Sequence, residues 1–451
     1  KIYIMFIDEI AIDGVLIMDK EKDTLVSVQT IYATIGNYNL DESPFMLDAV
    51  ELENATIHVK RDKNGMFNYA FIKDFFKRDK KTNIEFEIGV LRLTNSNFRY
   101  DDNRRVTRTK GVDYFHIKTS EINATIENFT YKDRVYKADV KTLSMKEKSG
   151  FILDNLATNA NVNAGGIFLS DLKINSPGSK IESKKFNMLA TGFIDFKTFV
   201  DSIDFDAKID NSTIALKEAA LFAYILDGMN DTIQLSTELH KKTNNLKLTN
   251  LNLKLEEACH VKGTVNLPDY RAPKNAFFHE KLDYVKIDVN ELAKIRLPNK
   301  APNNYLKIAD RVKRLSYFEA EDIRLDGFYS QFVVASDIIR TKLGSIRIDN
   351  GIMFTHNEKN SSYLFERSGA SNYDVKLEQF DVGALLNNSK IGSIDGIFFL
   401  SGETFANADI VISSIEGNVQ RFDLLEYTYT GIDIIEGKYA NGIFDSKIDV
   451  N

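Results

Sequence analysis

The stretch Leu52-Glu53-Asn54-Ala55-Thr56-Ile57-His58-Val59 aligns position by position with Leu93-Thr94-Asn95-Ser96-Asn97-Phe98-Arg99-Tyr100. In both copies, apolar residues alternate with polar ones on either side of a central Asn. Alternation is typical of a strand with one apolar face. Asn tolerates the left-handed backbone that a bulge or bend requires. Each copy therefore predicts a strand, a bend and a second strand.

The core of this pattern returns along the chain as an apolar residue, a polar residue and then Gly or Asn. Its copies are Ile12-Asp13-Gly14, Leu52-Glu53-Asn54, Leu93-Thr94-Asn95, Val261-Lys262-Gly263, Leu325-Asp326-Gly327, Ile394-Asp395-Gly396, Ile415-Glu416-Gly417 and Ile435-Glu436-Gly437. A strand–bend–strand unit that repeats in this way predicts a sheet that grows along one axis.

The strand pattern continues outside these copies, for example in Phe168 to Ile174, Leu246 to Leu255, Ile346 to Ile348 and Val375 to Leu377. Turn-forming clusters separate the strands at a spacing of roughly 10–12 residues. We therefore predict a mainly β protein with a long, curved, antiparallel or mixed sheet. No linker divides the chain, so residues 1–451 are expected to form one continuous repeating segment.

Three stretches have helical rather than alternating patterns and predict short helical insertions near 68–77, 212–226 and 290–318. The second begins with Ser212 or Thr213 as a possible N-cap. A weaker helical pattern covers Val382 to Leu386.

Composition limits the class of protein. The 451 residues are 43% apolar, which is enough to exclude wholesale disorder, and the net charge of −7 argues against a nucleic-acid-binding surface. Cys259 is the one cysteine, so no intrachain disulfide forms. No run of 18 apolar residues predicts a membrane-spanning helix. The chain begins at Lys1 without a Met or a leader, and we expect it to be a piece of a longer protein.

The sequence contains no motif for catalysis or metal binding. None of the six histidines belongs to an HExxH or Cys/His cluster, and the neighbours Cys259 and His260 face opposite sides of a strand. Asp204 and Asp206 share a face, but they lie in an ordinary alternating strand. We predict no catalytic residue, no metal site, no cofactor and no enzymatic activity.

Two basic runs are expected to be solvated loops, with contact to anionic lipid head groups as the alternative. They are Lys60-Arg61 with Lys63, and Arg104-Arg105 with Arg108 and Lys110.

An alternating sheet of this length has an apolar face that must be kept from water. A second sheet, helices or an apolar ligand can cover such a face. The helical stretches are too few to cover it, and no linkers mark a series of closed sandwiches. The pattern leaves two alternatives, a closed core and a groove for an apolar ligand.

Several segments, in order along the chain, resemble the TamB family of AsmA-like proteins in its Bacteroidetes form. They are Phe6 to Gly36, Ala49 to Phe76 (AVELENATIHVKRDKNGMFNYAFIKDFF), Leu226 to Leu255, Val261 to Pro273 (VKGTVNLPDYRAP), and Asp381 to Phe405 with the closing stretch YTYTGIDIIEGKYANGIFDSKIDVN. The resemblance identifies the chain as an N-terminal or middle portion of such a protein.

The resemblance implies a U-shaped hydrophobic β-groove in the periplasm of a Gram-negative bacterium, anchored in the inner membrane by a helix outside this chain. It also implies phospholipids as cargo and, as a partner, an Omp85-family outer-membrane barrel protein of the TamA, TamL or BamA kind.

We therefore predict a bridge that carries phospholipids between the membranes and supports outer-membrane biogenesis. The alternatives are a scaffold for the assembly of outer-membrane barrel proteins and a β-helical carbohydrate-active enzyme. Alternation alone decides which side faces the groove, and a slip of one residue would reverse it. The predicted lining residues are Leu52, Ile57, Val59, Leu93, Phe98, Tyr100, Ile126, Leu253, Val265, Ile346, Ile348, Ile410 and Ile412.

Overall fold

The structure, a computed structural model, describes all residues except 1, 5–8, 36–44, 73–84, 191–202, 243, 270, 271, 273, 275, 299–304, 370, 371, 406–408 and 451. Strands hold 69% of the residues and helices 7%, which confirms the mainly β prediction and the small number of short helices. The chain divides into two compact units, Lys1–Asn230 and Asp231–Asn451.

The first unit contains thirteen strands. They are β1 (Ile2–Ile4), β2 (Glu9–Met18), β3 (Thr24–Thr34), β4 (Phe45–Glu53), β5 (Thr56–Arg61), β6 (Phe86–Asp102), β7 (His116–Lys132), β8 (Val135–Glu147), β9 (Ile152–Leu153), β10 (Asn155–Asn163), β11 (Gly166–Asn175), β12 (Lys180–Leu189) and β13 (Asp204–Ala215).

The strands of the first unit pair in chain order, so its sheet is a meander with one exception. β4 and β5 are two halves of one bent strand, since both pair with β3 on one side and β6 on the other. Their pairing with β6 is parallel, whereas the other pairs are antiparallel. β9 and β10 likewise pair with β8 as two halves of one strand. The sheet of this unit is therefore mixed.

The second unit contains fourteen strands. They are β14 (Thr232–Lys242), β15 (Asn245–Leu255), β16 (Cys259–Leu267), β17 (Phe277–Asp288), β18 (Tyr317–Phe328), β19 (Gln331–Thr341), β20 (Gly344–Asn357), β21 (Ser362–Arg367), β22 (Val375–Asp381), β23 (Ile391–Thr404), β24 (Ile410–Leu424), β25 (Tyr427–Tyr429), β26 (Ile432–Ala440) and β27 (Ile443–Val450).

These strands also follow one another in the sheet, and the described pairs are antiparallel. β21 and β22 are two halves of one strand, because both lie between β20 and β23. β25 and β26 both pair with β24. Each strand thus lies beside its neighbour in sequence, which fixes the side-chain rows that cross the sheet.

The described residues include four short α-helices: α1 (Leu216–Phe222), α2 (Val289–Leu292), α3 (Asp310–Arg314) and α4 (Val382–Leu386). A 3₁₀ turn, Tyr224–Leu226, follows α1. Helix α4 confirms the weaker prediction. Its N-cap is Asp381, whose carboxylate accepts the Ala384 N–H at 2.7 Å.

The other helical predictions differ in their bounds. Ser212 and Thr213 are not an N-cap: they belong to β13, whose alternation continues through them, and α1 begins only at Leu216. The prediction near 290–318 covers α2 and α3, while residues 299–304 lie outside the described residues. Of the stretch near 68–77, residues 73–77 lie outside them too, and Asn68 to Phe71 form turns.

The repeated Gly and Asn residues bend the strands, as predicted, but by two different means. Asn54 and Asn95 have φ of 50° and 45°, and Gly263 has φ of 142°, so these positions use the left-handed half of backbone space. Gly396 and Gly417 do not have positive φ. Glycine is required there because a Cβ would lie 2.8 Å and 2.3 Å from carbonyl oxygens of the neighbouring strand.

Candidate functional site

An uninterrupted apolar row crosses the sheet of the second unit from β14 to β26. Directly paired residues share a face, so the row follows from the register alone. Its members are Leu235, Leu253, Val261, Val285, Ala320, Ile339, Ile346, Leu377, Gly396, Val419 and Ile432.

The next row, one residue along each strand, faces the other side of the sheet and is polar throughout. Its members are Gln234, Lys254, His260, Lys286, Glu319, Arg340, Ser345 and Glu378. Along these two rows the two sides of the sheet therefore differ in chemistry, from β14 to β22.

The first unit has an equivalent apolar face. One row contains Ile10, Ala33, Val50, Leu91, Ile126 and Val140 and ends on Thr158. A second, richer in aromatic residues, contains Phe86, Tyr131, Tyr136, Val162, Ile167, Met188 and Phe205. The rows share a face, because Tyr136 and Val140 are four residues apart on β8 without a register shift.

The predicted lining residues of the first unit lie together. β4 and β5 together contribute three of these residues, and each lies directly beside a predicted residue of the parallel strand β6. Ile126, on β7, lies opposite Leu91. The pairs are Leu52 with Leu93, Ile57 with Phe98, and Val59 with Tyr100.

In the second unit, Leu253 and Ile346 belong to the apolar row itself, and Ile348 lies two residues further along β20. Val265 pairs with Leu248 on the far side of the bend in β15. Ile412 pairs with Gly402, and Ile410 lies at the start of β24. These residues share a face but are spread over four strands.

None of the thirteen predicted residues is fully buried. Ile410 is 38% exposed, and the others are half-buried. A fully buried apolar cluster forms instead around Phe398, Val419, Ile432 and Ile434, with Leu377 and Leu400 packed against it. A closed core built on the predicted residues would have removed them from water. Their role in lining a groove stays a prediction.

The accessible surface agrees with this incomplete burial. The chain exposes 27061 Å². Two separate compact proteins, each of half its mass, would together expose about 21,000 Å².

The small residue that follows each bend Asn lies on the apolar face. In the bend of β4–β5 and β6, Ala55 and Ser96 are 1% and 3% exposed, whereas the amides of Asn54 and Asn95 project to the opposite, exposed side. The Asn95 amide donates to Asn54 Oδ1 at 2.6 Å, and that of Asn54 donates to Gln29 Oε1 at 2.7 Å, so hydrogen bonds join the bends of three neighbouring strands.

Buried hydroxyl groups occupy the apolar face where the register shifts. Thr158 donates to Ser170 O at 2.9 Å, Ser183 to Lys208 O at 2.8 Å, and Thr237 to Thr249 O at 3.1 Å. Ser212, fully buried, accepts the Glu182 N–H at 3.0 Å. Each hydroxyl pairs with a backbone group that a bulge leaves outside the ladder.

The sequence analysis did not identify these hydroxyl residues. The signal was present in the aligned copies, where the residue after each bend Asn is small: Ala55 in one and Ser96 in the other. It also did not identify most of the long apolar row, because single strands do not reveal which residues lie opposite each other.

Two buried charged residues, Lys241 and Glu280, lie on the apolar face in the described part of the second unit; Lys241 is opposite Leu246 and 8% exposed. Glu280 has the less complete set of hydrogen bonds. It is 7% exposed, and one of its carboxylate oxygens accepts the Asn266 N–H at 2.5 Å, while the other has no hydrogen-bond partner. Burial raises the pKa of this carboxyl above its ordinary value. Burial likewise raises the pKa of the Cys259 thiol on the same face.

The other titratable groups singled out in the sequence have structural partners. Asp206 pairs with Lys185, and the His260 ring lies 2.8 Å from Asn252 Oδ1 on the polar face. In the turn after β2, Asp19, Glu21 and Asp23 place carboxylate oxygens within 4.8 Å of one another. The Asp19 carboxylate accepts the N–H groups of Glu21 and Asp23, and Lys60 pairs with Asp23, so this group is explained by the turn itself.

The two basic runs lie side by side at one end of the strands, where the Asn103 N–H donates to Arg61 O at 2.9 Å. The Arg61 side chain donates to Gly65 O and lies over the Phe67 ring. Arg104 binds Asp102 through two nitrogens at 2.7 and 2.8 Å and lowers the pKa of that buried carboxyl to about 2. The side chains of Arg61 and Arg104 are therefore already bound by groups of the protein itself.

Comparison with protein families, curated proteins and solved structures finds no match to this chain. The resemblance to the TamB family therefore stays a prediction from the sequence. In the part of the chain that the structure describes, no helix has the length and apolar character needed to cross a membrane.

Proposed function

We propose that the apolar sheet face of each unit binds the acyl chains of phospholipids and guides them along the protein. The observation that carries this proposal is the row from Leu235 to Ile432, which stays apolar over eleven consecutive pairing positions. No member of the row is charged or polar. Acyl chains bind its half-buried members, whereas Ala320, Gly396, Val419 and Ile432 are already covered by protein. Transport along it is diffusive and needs no catalytic group or cofactor.

In this proposal the bends curve the apolar face inward and make it a groove. The small residues Ala55 and Ser96 follow the bend Asn residues on the apolar face, which leaves room for the sheet to curve towards that face. The full proposal is a periplasmic segment between the inner and outer membranes of a Gram-negative bacterium. It includes an inner-membrane anchor beyond this chain and an outer-membrane barrel protein of the Omp85 type as the partner.

The test places a charge on the apolar face and, as a control, on the polar face nearby. Ile348→Asp and Phe98→Asp introduce a carboxylate on the apolar face, beside Val375 and Ile57, whereas Ser345→Asp and Asn97→Asp introduce one on the other side of the same strands. Phospholipid that co-purifies in mild detergent is counted per chain by native mass spectrometry and lipid extraction. We expect the first pair to lose lipid and the control pair to keep it.

Circular dichroism checks that all four variants retain their strand content. Equal lipid content in both pairs would contradict the proposal. The assembly-scaffold alternative makes the opposite prediction: lipid would be absent from the wild type, and substitutions in loops and at strand edges would be the damaging ones.

A further inference from the structure

A cavity of about 960 Å³ opens at one end of the first unit. Three segments enclose it: the loop between β6 and β7, the turn between β8 and β9, and helix α1 with the 3₁₀ turn that follows. Its lining combines four basic side chains with apolar ones. The basic residues are Arg108, Lys110, Lys148 and Lys217, and the apolar ones include Phe151, Leu221 and Tyr224.

The positive charge of this cavity is largely uncompensated. In the described parts of the chain, no carboxylate lies within 4.0 Å of the side-chain nitrogens of Arg108, Lys148 or Lys217, and Lys110 reaches Asp227 only at 3.5 Å. The cavity is thus an attractive site for an anion on a protein whose net charge is −7.

The remaining carboxylate of the lining, Glu218, is occupied by the turn between β11 and β12. It accepts the hydroxyls of Ser176 and Ser179, both at 2.6 Å, and the Gly178 N–H at 2.8 Å. These three donors balance its charge and fix α1 to the end of the sheet.

Hydrogen bonds within the protein hold the walls of the cavity. Buried Asp113 accepts the N–H groups of Arg108 and Phe115 at 2.8 and 3.1 Å, which fixes the loop that carries Arg108. The Val112 N–H donates to Leu221 O at 2.7 Å and ties this loop to α1. A site held in this way loses little conformational entropy when it binds.

Apolar side chains project into water beside these cations. Tyr224 and Ile225 are 70% and 67% exposed, and Phe222 is 44% exposed. Neighbouring basic and exposed aromatic or aliphatic residues are typical of surfaces that contact anionic membranes, where the cations meet phosphates and the apolar groups enter the acyl region.

We infer that this end of the first unit is a binding site for the head group of an anionic phospholipid. The phosphate lies among Arg108, Lys148 and Lys217, and the glycerol and upper acyl region lie against Phe151 and Tyr224. The site is separate from the apolar sheet face and goes beyond the proposed function, because lipid chains in a groove do not require a cationic cavity at the strand ends.

The test is co-sedimentation with phosphatidylcholine vesicles that either lack or contain about 30% phosphatidylglycerol. The variant R108Q/K148Q/K217Q removes three charges from the cavity. The control K132Q/R134Q/K137Q removes three exposed charges at the hairpin between β7 and β8, the other end of β7. We expect the cavity variant to bind anionic vesicles about fivefold more weakly per removed charge, and the control to bind like the wild type.

A second variant, Tyr224→Ser with Ile225→Ser, tests the apolar part and is expected to weaken vesicle binding while all basic residues remain. Unchanged binding in the R108Q/K148Q/K217Q variant would overturn the inference. Equal binding to phosphatidylcholine vesicles with and without phosphatidylglycerol would also overturn it, because the cavity would then not select an anionic head group.

Lipid extraction on the same samples separates this inference from the proposed function. A cavity variant that loses vesicle binding but keeps its co-purified lipid supports a separate head-group site. If Ile348→Asp loses its co-purified lipid but still binds vesicles, the sheet face binds lipid independently of the cavity.

Discussion

At the scale of single residues, the bends are built from side chains that are unusual in the middle of a strand. Asn54, Asn95, Asp171 and Asn250 all have φ near +50°. A non-glycine residue pays about 1 kcal/mol or more for this conformation. Exposed side-chain amides and buried hydroxyls on the apolar face supply hydrogen bonds that offset this cost.

The hydroxyl of Ser212 allows a direct test of how much such a hydrogen bond stabilises the bent strands. Ser212→Ala leaves the buried Glu182 N–H without its partner at 3.0 Å, so we expect the free energy of unfolding to fall by about 2 kcal/mol. Urea denaturation followed by circular dichroism measures the change. Ser170→Ala, at an exposed position on the neighbouring β11, serves as the control and should change stability by less than about 0.5 kcal/mol.

Glu280 predicts a pH dependence. Its pKa is raised in the folded state, so the stability linked to its neutral form is present below the ordinary value of 4.5 and is lost as pH rises through the folded pKa. Glu280→Gln cannot ionise and keeps an oxygen for the Asn266 N–H. We expect a higher melting temperature than wild type at pH 7 and no difference near pH 4.

Calorimetry at the two pH values makes the comparison, with the exposed Glu366→Gln as the control. A Glu280→Gln variant that melts below the wild type at pH 7 would show that the ionised carboxylate stabilises this face.

The sequence identified Asn54 and Asn95 as bend residues because their position between two alternating runs has no other simple explanation. It could not distinguish Gly263, which needs its backbone angle, from Gly396, which needs space for the neighbouring strand. That difference depends on the distance to another strand, which no local pattern contains.

At the scale of elements, each long strand behaves as two straight segments joined by a bend. This explains the wrong N-cap at Ser212. A polar residue followed by a small apolar run resembles a helix start, but here the hydroxyl fills a bulge and the strand continues to Ala215. Helix α4 was predicted correctly because Asp381 caps it locally and needs no distant partner.

Gly263 tests whether a bend is essential for the strands around it. In Gly263→Ala, the new Cβ would lie 2.5 Å from Lys281 O on β17, at a φ of 142°. We expect a loss of about 3 kcal/mol in the free energy of unfolding. In Gly369→Ala, nothing lies within 4 Å of the new Cβ, so the urea midpoint should be close to that of the wild type. Similar midpoints for the two variants would show that the bend adapts to a side chain.

At the scale of the whole molecule, the alternation predicted that one face of the strands is apolar. The structure adds how far that apolar face continues from strand to strand. The register of eleven strands brings Leu235 and Ile432 into one row, although they are almost two hundred residues apart. Composition and periodicity could not supply that row, since it depends on which strands are neighbours and on where each register shifts.

The exposed part of this face predicts dye binding in the native state. We expect the purified protein, stripped of lipid, to enhance the fluorescence of the apolar probe ANS at neutral pH while it still unfolds cooperatively. Added phospholipid should displace the probe from wild type, because both occupy the same half-buried surface. Native protein that binds no probe would contradict this reading of the face.

The order of the strands has one more consequence. Since each strand of the second unit lies beside the one before it in sequence, an added hairpin lengthens the sheet by about 10 Å and leaves every other pairing intact. Duplication of a short coding segment is then enough to change the reach of the protein. Such a chain also forms its neighbours from residues made at nearly the same time, so folding can keep pace with synthesis or export.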